Sequence, residues 1–199
     1  MPRGRILNIL GAIALWGGLI VFTAGLGYWL WWQHQREALY ADIMAKAGAR
    51  YKVDPKLIKA IIWRESRFNR LARGKAGEIG LMQVREWPAE EWAEAEKIPD
   101  FKHTDIFEPY RNIHAGTWYL AKLMKRYTNT DNPLPYALAD YNAGRTHVLR
   151  WNKGAAATNS QAFLERIDFP GTRQYARAIM ERSSLTMSGR SAARRARPE

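Results

Sequence analysis

PKLIKAIIWRESRF, residues Pro55–Phe68, reads as a helix that turns an acid toward its own apolar side. Asp54 supplies an N-cap oxygen, and Pro55 suits the first helical position, where a missing N–H costs nothing. Ile58, Ile61, Ile62 and Glu65 fall at i, i+3, i+4 and i+7, so the carboxylate shares the stripe that must face a core or a cleft. The positions three and four residues from it are Ile61, Ile62, Phe68 and Asn69, so no helix neighbour supplies a cation. A partly desolvated carboxylate without such a partner has a raised pKa, which suits a general acid near neutral pH. The same placement also fits a cleft-edge glutamate held by backbone N–H groups or by an arginine from elsewhere in the chain.

Outward from this helix the pattern stays helical. Leu39, Ile43, Met44 and Ala47 recur at helical intervals over Ala38–Tyr51, and a loop through Gly74, Gly77 and Gly80 follows the acid. Pro88–Glu96 reads as a short acidic helix. Asn112 reads as the N-cap of Ile113–Tyr127, whose buried stripe is Ile113, Gly116, Leu120, Leu123 and Tyr127. Pro135–Tyr141 is a short apolar helix broken at Asn142-Ala143-Gly144, another begins near Thr146, and 160–167 and 172–182 close the unit. No stretch alternates with a β period, so the prediction is one all-α domain over residues 37–183.

Before that domain, residues 6–32 (ILNILGAIALWGGLIVFTAGLGYWLWW) hold no charge and follow Arg3 and Arg5. At about 1.5 Å per residue this run reaches roughly 40 Å, enough to cross a hydrocarbon core of about 30 Å with tilt. Tyr28, Trp29, Trp31 and Trp32 gather at its far end as interfacial aromatics do. A cleaved signal peptide is the rival reading. The run is longer than a signal h-region and no A-x-A site closes it, which favours an uncleaved N-terminal transmembrane helix after a cytoplasmic segment at 1–5. Basic residues flank both ends, so charge alone does not orient the span.

The formal net charge of +12 is unevenly spread. Arg190, Arg194, Arg195 and Arg197 lie in a Ser/Ala-rich segment at 184–199 that reads as a basic disordered tail, while residues 37–182 carry 24 basic against 18 acidic side chains. That modest excess suits an anionic polymer or a lipid surface. No interleaving of aromatic and basic residues points to nucleic acid, and none is expected as a partner. There is no cysteine, and His34, His103, His114 and His147 lack ligand spacing and read as surface residues. Neither a metal nor another cofactor is expected.

Four motifs then fall in order: Glu65-Ser66, Gly80-Leu81-Met82-Gln83, Asn112-Ile113 with Gly116 and Tyr119-Leu120, and Ala139-Asp140-Tyr141-Asn142-Ala143-Gly144. A weaker closing element is Pro170-Gly171-Thr172-Arg173-Gln174-Tyr175. Over roughly residues 40–182 the chain resembles the soluble lytic transglycosylase (SLT) catalytic domain of the lysozyme-like superfamily, a helical fold shared with goose-type lysozymes. It departs from the family pattern at Gly74, where a serine is usual, at Arg85 and Glu86, where Met and Pro are common, and at Gly171, in place of a glutamate.

The resemblance implies cleavage of the MurNAc-β-1,4-GlcNAc bond of peptidoglycan, with Glu65 protonating the leaving oxygen and then acting as base. It implies that the substrate's 2-acetamido oxygen stabilises the cation and its 6-hydroxyl attacks C1, leaving a 1,6-anhydroMurNAc end. Glu78 and Asp140 are the candidates for a second carboxylate of the ordinary glycosidase kind. Gln83, Tyr141, Asn142, Met82 and Tyr119 are the implied substrate-binding residues, with Tyr141 able to bond Glu65 or the acetamido group. Met82 and Tyr119 also fit core packing, and Asn142 with Gly144 also fits a plain helix end. Trp63 and Trp87 are candidates for stacking on sugars, and Arg85 for attracting the carboxylates of muramoyl peptides. A glycan substrate outside the cytoplasmic membrane sets the expected topology: a single-pass inner-membrane protein with its domain facing the periplasm and the wall. A goose-type hydrolase and a catalytically silent wall-binding module of an envelope machine remain as alternatives.

Overall fold

A computed structural model describes the backbone from Arg3 to Arg195 and the side chains of residues 15–31 and 35–184. The chain divides into two units, one up to Tyr40 and one from Ala41 onward. In the first, a single helix, α1 (Arg3–Leu39), contains the apolar run. Its described apolar side chains, among them Leu15, Trp16, Phe22 and Trp29, are exposed. Residues 6–14 and Trp32 of the predicted anchor have side chains outside the described set, and Met1 and Pro2 of the predicted N-terminal segment lie outside it altogether. Among the described residues no helix is long and apolar enough to cross a membrane.

The second unit is all-α. It comprises α2 (Ala41–Tyr51), α3 (Pro55–Ser66), α4 (Glu86–Ala95), α5 (Pro109–Arg126), α6 (Leu134–Ala143), α7 (Arg145–Trp151), α8 (Ser160–Arg166) and α9 (Pro170–Arg195). The only β pairing among the described residues is two isolated bridges, Arg73–Ile79 and Ile79–Val84, within the glycine-rich loop. α5 packs against α2, α4 and α6, and α9 packs against α3 and α6. Ile58, Ile61 and Ile62 on α3 are fully buried, each contributing about 1.5–3 kcal/mol by leaving water.

Local chemistry explains most helix ends. The Asp54 carboxylate accepts from the Lys56 N–H at 2.8 Å, as an N-cap should. α3 stops at Ser66, short of the predicted Phe68, because Arg67 and Phe68 both turn into the left-handed region at φ 52° and 61°. That conformation is unfavourable for side chains this large, and burial of Phe68 to 1% exposure offsets it. The start of α5 corrects the assignment of Asn112 as a cap. Glu108 holds that role, accepting from the Tyr110 and Arg111 N–H groups at 2.9 and 2.7 Å, with Pro109 at the first position.

Asn112 lies inside the helix, fully buried, and clamps the loop before it. Its amide oxygen accepts from the Met82 N–H at 2.7 Å, and its amide nitrogen donates to Ile79 O and Ile106 O, each at 2.9 Å. The surroundings leave no room for side chains at two glycines. A Cβ on Gly80, at φ +80°, would lie 2.1 Å from the Asn112 amide nitrogen, and one on Gly116 would lie 2.8 Å from Met82 Cβ.

One further expectation differs from the structure. His114 is buried rather than at the surface, stacked on Tyr110 with ring centres 4.0 Å apart. The backbone of α9 runs as a helix to Arg195, into the segment 184–199 expected to be a basic tail. Side chains beyond 184 and residues 196–199 lie outside the described set.

Asn112→Ala leaves the Met82 N–H and Ile106 O unpartnered and takes one of two donors from Ile79 O, so it should lower the unfolding free energy by about 2 kcal/mol or more. Urea denaturation measures this, and a loss below about 1 kcal/mol would contradict the clamp.

Candidate active site

Ser66, the last residue of α3, donates to Leu81 O at 2.8 Å while sharing its hydrogen with Ile62 O at 3.2 Å. Tyr141 on α6 donates to Met82 O at 2.9 Å. With Asn112 holding the Met82 N–H, three separate helices grip one turn, Gly80–Gln83. Gln83 closes that turn at φ 48° and donates its amide hydrogens to Gly80 O at 2.9 Å and Ala72 O at 3.2 Å. The Gln83 amide oxygen is left as the group able to accept from a ligand.

Beside this turn lies a cavity of about 310 Å³ lined by Glu65, Gln83, Tyr119, Tyr141 and Asn142 together with Glu78, Arg85, Trp87 and Asp140. Five of the six sequence-predicted residues therefore meet in one place. Met82 does not: its side chain is fully buried under Gly116, and it presents only its backbone to Tyr141 and Asn112. Tyr119 is half-buried with its ring 5.6 Å from that of Tyr141, forming cleft wall. The Asn142 amide oxygen accepts from the Thr172 hydroxyl at 2.8 Å, which turns the amide nitrogen into the remaining polar handle. Trp87 is exposed along the cavity, whereas Trp63 lies between Arg67 and Arg182, at 3.4 and 3.8 Å from its ring centre, and lines no part of it.

Among the described residues, Glu65 has no hydrogen bond to Tyr141 or to an arginine. Tyr175 on α9, 110 residues on in the chain, donates its hydroxyl to Glu65 Oε1 at 2.5 Å. Burial pushes the Glu65 carboxyl up to about 7, against the pull of the Tyr175 hydrogen bond and the Arg64 charge and with a push from Glu78. The buried hydroxyls of Tyr175 and Tyr141 stay protonated, each driven well above its ordinary range by burial and then by the Glu65 charge.

The other two carboxylates of the cavity are engaged. Asp140 accepts from Arg126 and from the Tyr127 hydroxyl, both at 2.6 Å, and is 2% exposed. Glu78 Oε1 takes Arg85 Nε at 3.0 Å and Oε2 takes the Ala76 N–H at 2.9 Å. Partial burial works upward on Glu78, but its own backbone N–H, Arg85 and Ala76 together hold it below the usual carboxylate range. Arg85, expected to face substrate carboxylates, thus already has one from the protein. A Cβ at Gly74 would lie 2.3 Å from Glu78 Oε2, so the small residue at 74 makes the space that this carboxylate occupies.

These features describe an all-α, lysozyme-like fold with a buried, raised carboxyl, Glu65, in its cleft. A family profile described as Transglycosylase SLT domain matches residues 42–164, more than half the chain, and the protein belongs to that family. Among curated relatives it is 33% identical over 144 residues to membrane-bound lytic murein transglycosylase F of Desulfosudis oleivorans, covering 68% of this chain and 30% of the relative. It is 35% identical over 122 residues to membrane-bound lytic murein transglycosylase C of Edwardsiella ictaluri, covering 58% and 34%. The chain thus spans about a third of the length of these relatives. Among solved structures, an inactive mutant of lytic transglycosylase Slt from Pseudomonas aeruginosa superposes with a TM-score of 0.67 at 26% identity, covering 76% of this chain and 24% of that one. A 70 kDa soluble lytic transglycosylase in complex with bulgecin A gives 0.66 at 26% identity, covering 75% and 24%. The family match ends before α9, which carries Tyr175.

The raised carboxyl has a stability signature. Between the ordinary carboxyl value of 4.5 and about 7 the folded protein keeps a proton that the unfolded chain releases, so stability falls as pH rises through that window. Glu65→Gln removes the penalty. It should raise the unfolding free energy by about 1–3 kcal/mol at pH near 8 and leave it almost unchanged at pH near 4, by thermal or urea unfolding.

Proposed function

We propose that the chain is a membrane-anchored murein lytic transglycosylase that cuts the MurNAc-β-1,4-GlcNAc bond without water, Glu65 serving as acid and then base. The observation that carries this reading is a carboxyl held near neutral pKa by burial, in a cavity whose other two carboxylates are occupied by protein partners. A hydrolase of the usual two-carboxylate kind needs a second carboxylate free to activate water or to attack the sugar itself. An attack from within the substrate does not.

In the proposed reaction, Glu65 passes its proton to the glycosidic oxygen as the C1–O bond breaks. The substrate's acetamido oxygen steadies the positive centre. The 6-hydroxyl oxygen then bonds C1 and returns its proton to Glu65, so no water is consumed and a 1,6-anhydroMurNAc end forms. Tyr175 stabilises the carboxylate between the two proton transfers, since its hydrogen bond is stronger to the charged form. Gln83 and Asn142 each keep one amide atom for the sugar's polar groups, and Tyr119, Tyr141 and Trp87 supply aromatic wall.

The apolar, exposed side chains of α1 support anchoring, with the second unit on the wall side of the cytoplasmic membrane. Removal of residues 1–32 should release the protein from the membrane fraction; retention there would refute this anchor.

Digested sacculi should yield disaccharide-peptides one water lighter than hydrolysis products by mass spectrometry. Reducing ends would instead favour a goose-type hydrolase. Glu65→Gln should lower the rate by about 10²-fold or more, and undiminished clearance would make the domain a binding module. Because the acid must start protonated, wild-type kcat/KM should fall as pH rises through about 7. Tyr175→Phe, which removes a bond to the carboxylate, should move that fall to higher pH.

A further inference from the structure

α5 has two faces. Ile113, Leu120 and Leu123 enter the core, while Trp118, Ala121, Lys122 and Lys125 recur at i, i+3, i+4 and i+7 on another side. This second stripe forms one wall of a groove of about 910 Å³, larger than the cavity at Glu65. The end of α2 and the residues after it, Arg50, Tyr51 and Lys52, form the opposite wall.

Four cations and one carboxylate, Glu96, line the groove. Glu96 is engaged by Arg50 and by the Tyr51 hydroxyl, the latter at 2.8 Å. Lys122 is held by both oxygens of Glu91 at 2.6 and 2.7 Å. Lys52 and Lys125 are exposed and have no acidic partner among the described residues. The groove therefore offers two open ammonium groups beside a half-buried indole.

It also lies next to the Glu65 cavity. The Lys122 ammonium lies 5.3 Å from the ring centre of Trp87, in the wall of the Glu65 cavity, and 5.4 Å from that of Trp118 in the groove. Lys122 thus stands between Trp87 of one recess and Trp118 of the other.

We propose that this groove is a second substrate-holding site, which takes the carboxylate-bearing peptide substituents of the same strand that is cut at Glu65. The proposal rests on the reading of the site as a peptidoglycan-cleaving one. Neutral sugars offer Lys52 and Lys125 no opposite charge, whereas acidic peptides carried by the strand supply carboxylates along the same polymer that is cut. Contacts there hold the polymer without touching the reacting atoms, and the indole gives apolar surface to peptide side chains.

Co-sedimentation of the full chain with purified sacculi tests this, in a Glu65→Gln background so that the polymer stays intact. Lys52→Ala combined with Lys125→Ala should weaken binding to peptide-bearing sacculi by about five- to tenfold, and Lys52→Arg with Lys125→Arg should restore it. The same alanine pair should bind peptide-stripped glycan as its parent does. Equal binding of pair and parent to both polymers overturns the proposal. So does an equal loss on both, which makes the contact one to sugar, and so does a loss confined to anionic phospholipid vesicles, which makes the surface a lipid-facing one. Failure of wild type to release soluble fragments from sacculi would instead remove the underlying functional reading, and is scored separately.

Discussion

Four residues of loop, Gly80–Gln83, are held by hydrogen bonds from α3, α5 and α6, and the geometry of the cleft depends on that grip. Leu81 O, Met82 N and Met82 O each have a side-chain partner, supplied by Ser66, Asn112 and Tyr141 in turn. Inside a protein such a network is costly to leave half-made, so it has one arrangement rather than several. Because Ser66 adjoins Glu65, the network that fixes the turn also fixes the acid's helix against it. Close approach is built in from both sides, by Gly80 against Asn112 and Gly116 against Met82.

The network separates two tasks that one residue type often performs. Tyr141 braces the loop and Tyr175 meets the acid, although both line up against Glu65 electrostatically. Burial raises the Glu65 carboxyl and the Tyr175 bond tempers that rise, which leaves the proton transferable near neutrality instead of locked in place. Glu78 and Asp140 sit in the same cavity, each in an ion pair, with Arg85 and Arg126 respectively.

How much of this is legible in the chain depends on the range over which each residue acts. The stripe Ile58, Ile61, Ile62 and Glu65 is a property of one helix, and its placement follows from spacing alone. Asn112 misleads because a polar residue ahead of an apolar stripe satisfies local rules as a cap, whereas its actual partners, Ile79, Met82 and Ile106, come from outside its helix. Glu108 is a less favoured cap type, although Pro109 directly after it is the signal that locates the true start. Tyr175 lies in the weak closing element of the resemblance, and nothing local links it to an acid 110 residues away. Met82 and Tyr119 each fit core or cleft in sequence, and packing sends one to each. His114 sits on a helix whose turn-by-turn pattern does not reveal that Tyr110 and Tyr51 cover it.

The fit between Gly74 and the Glu78 carboxylate has a consequence for how such a cleft can be reached by single replacements. A side chain at 74 would push the flexible Glu78 carboxylate away from the Ala76 N–H and the Arg85 guanidinium. What stands at 74 therefore decides where the acid at 78 rests, and a replacement at either position is read together with the other.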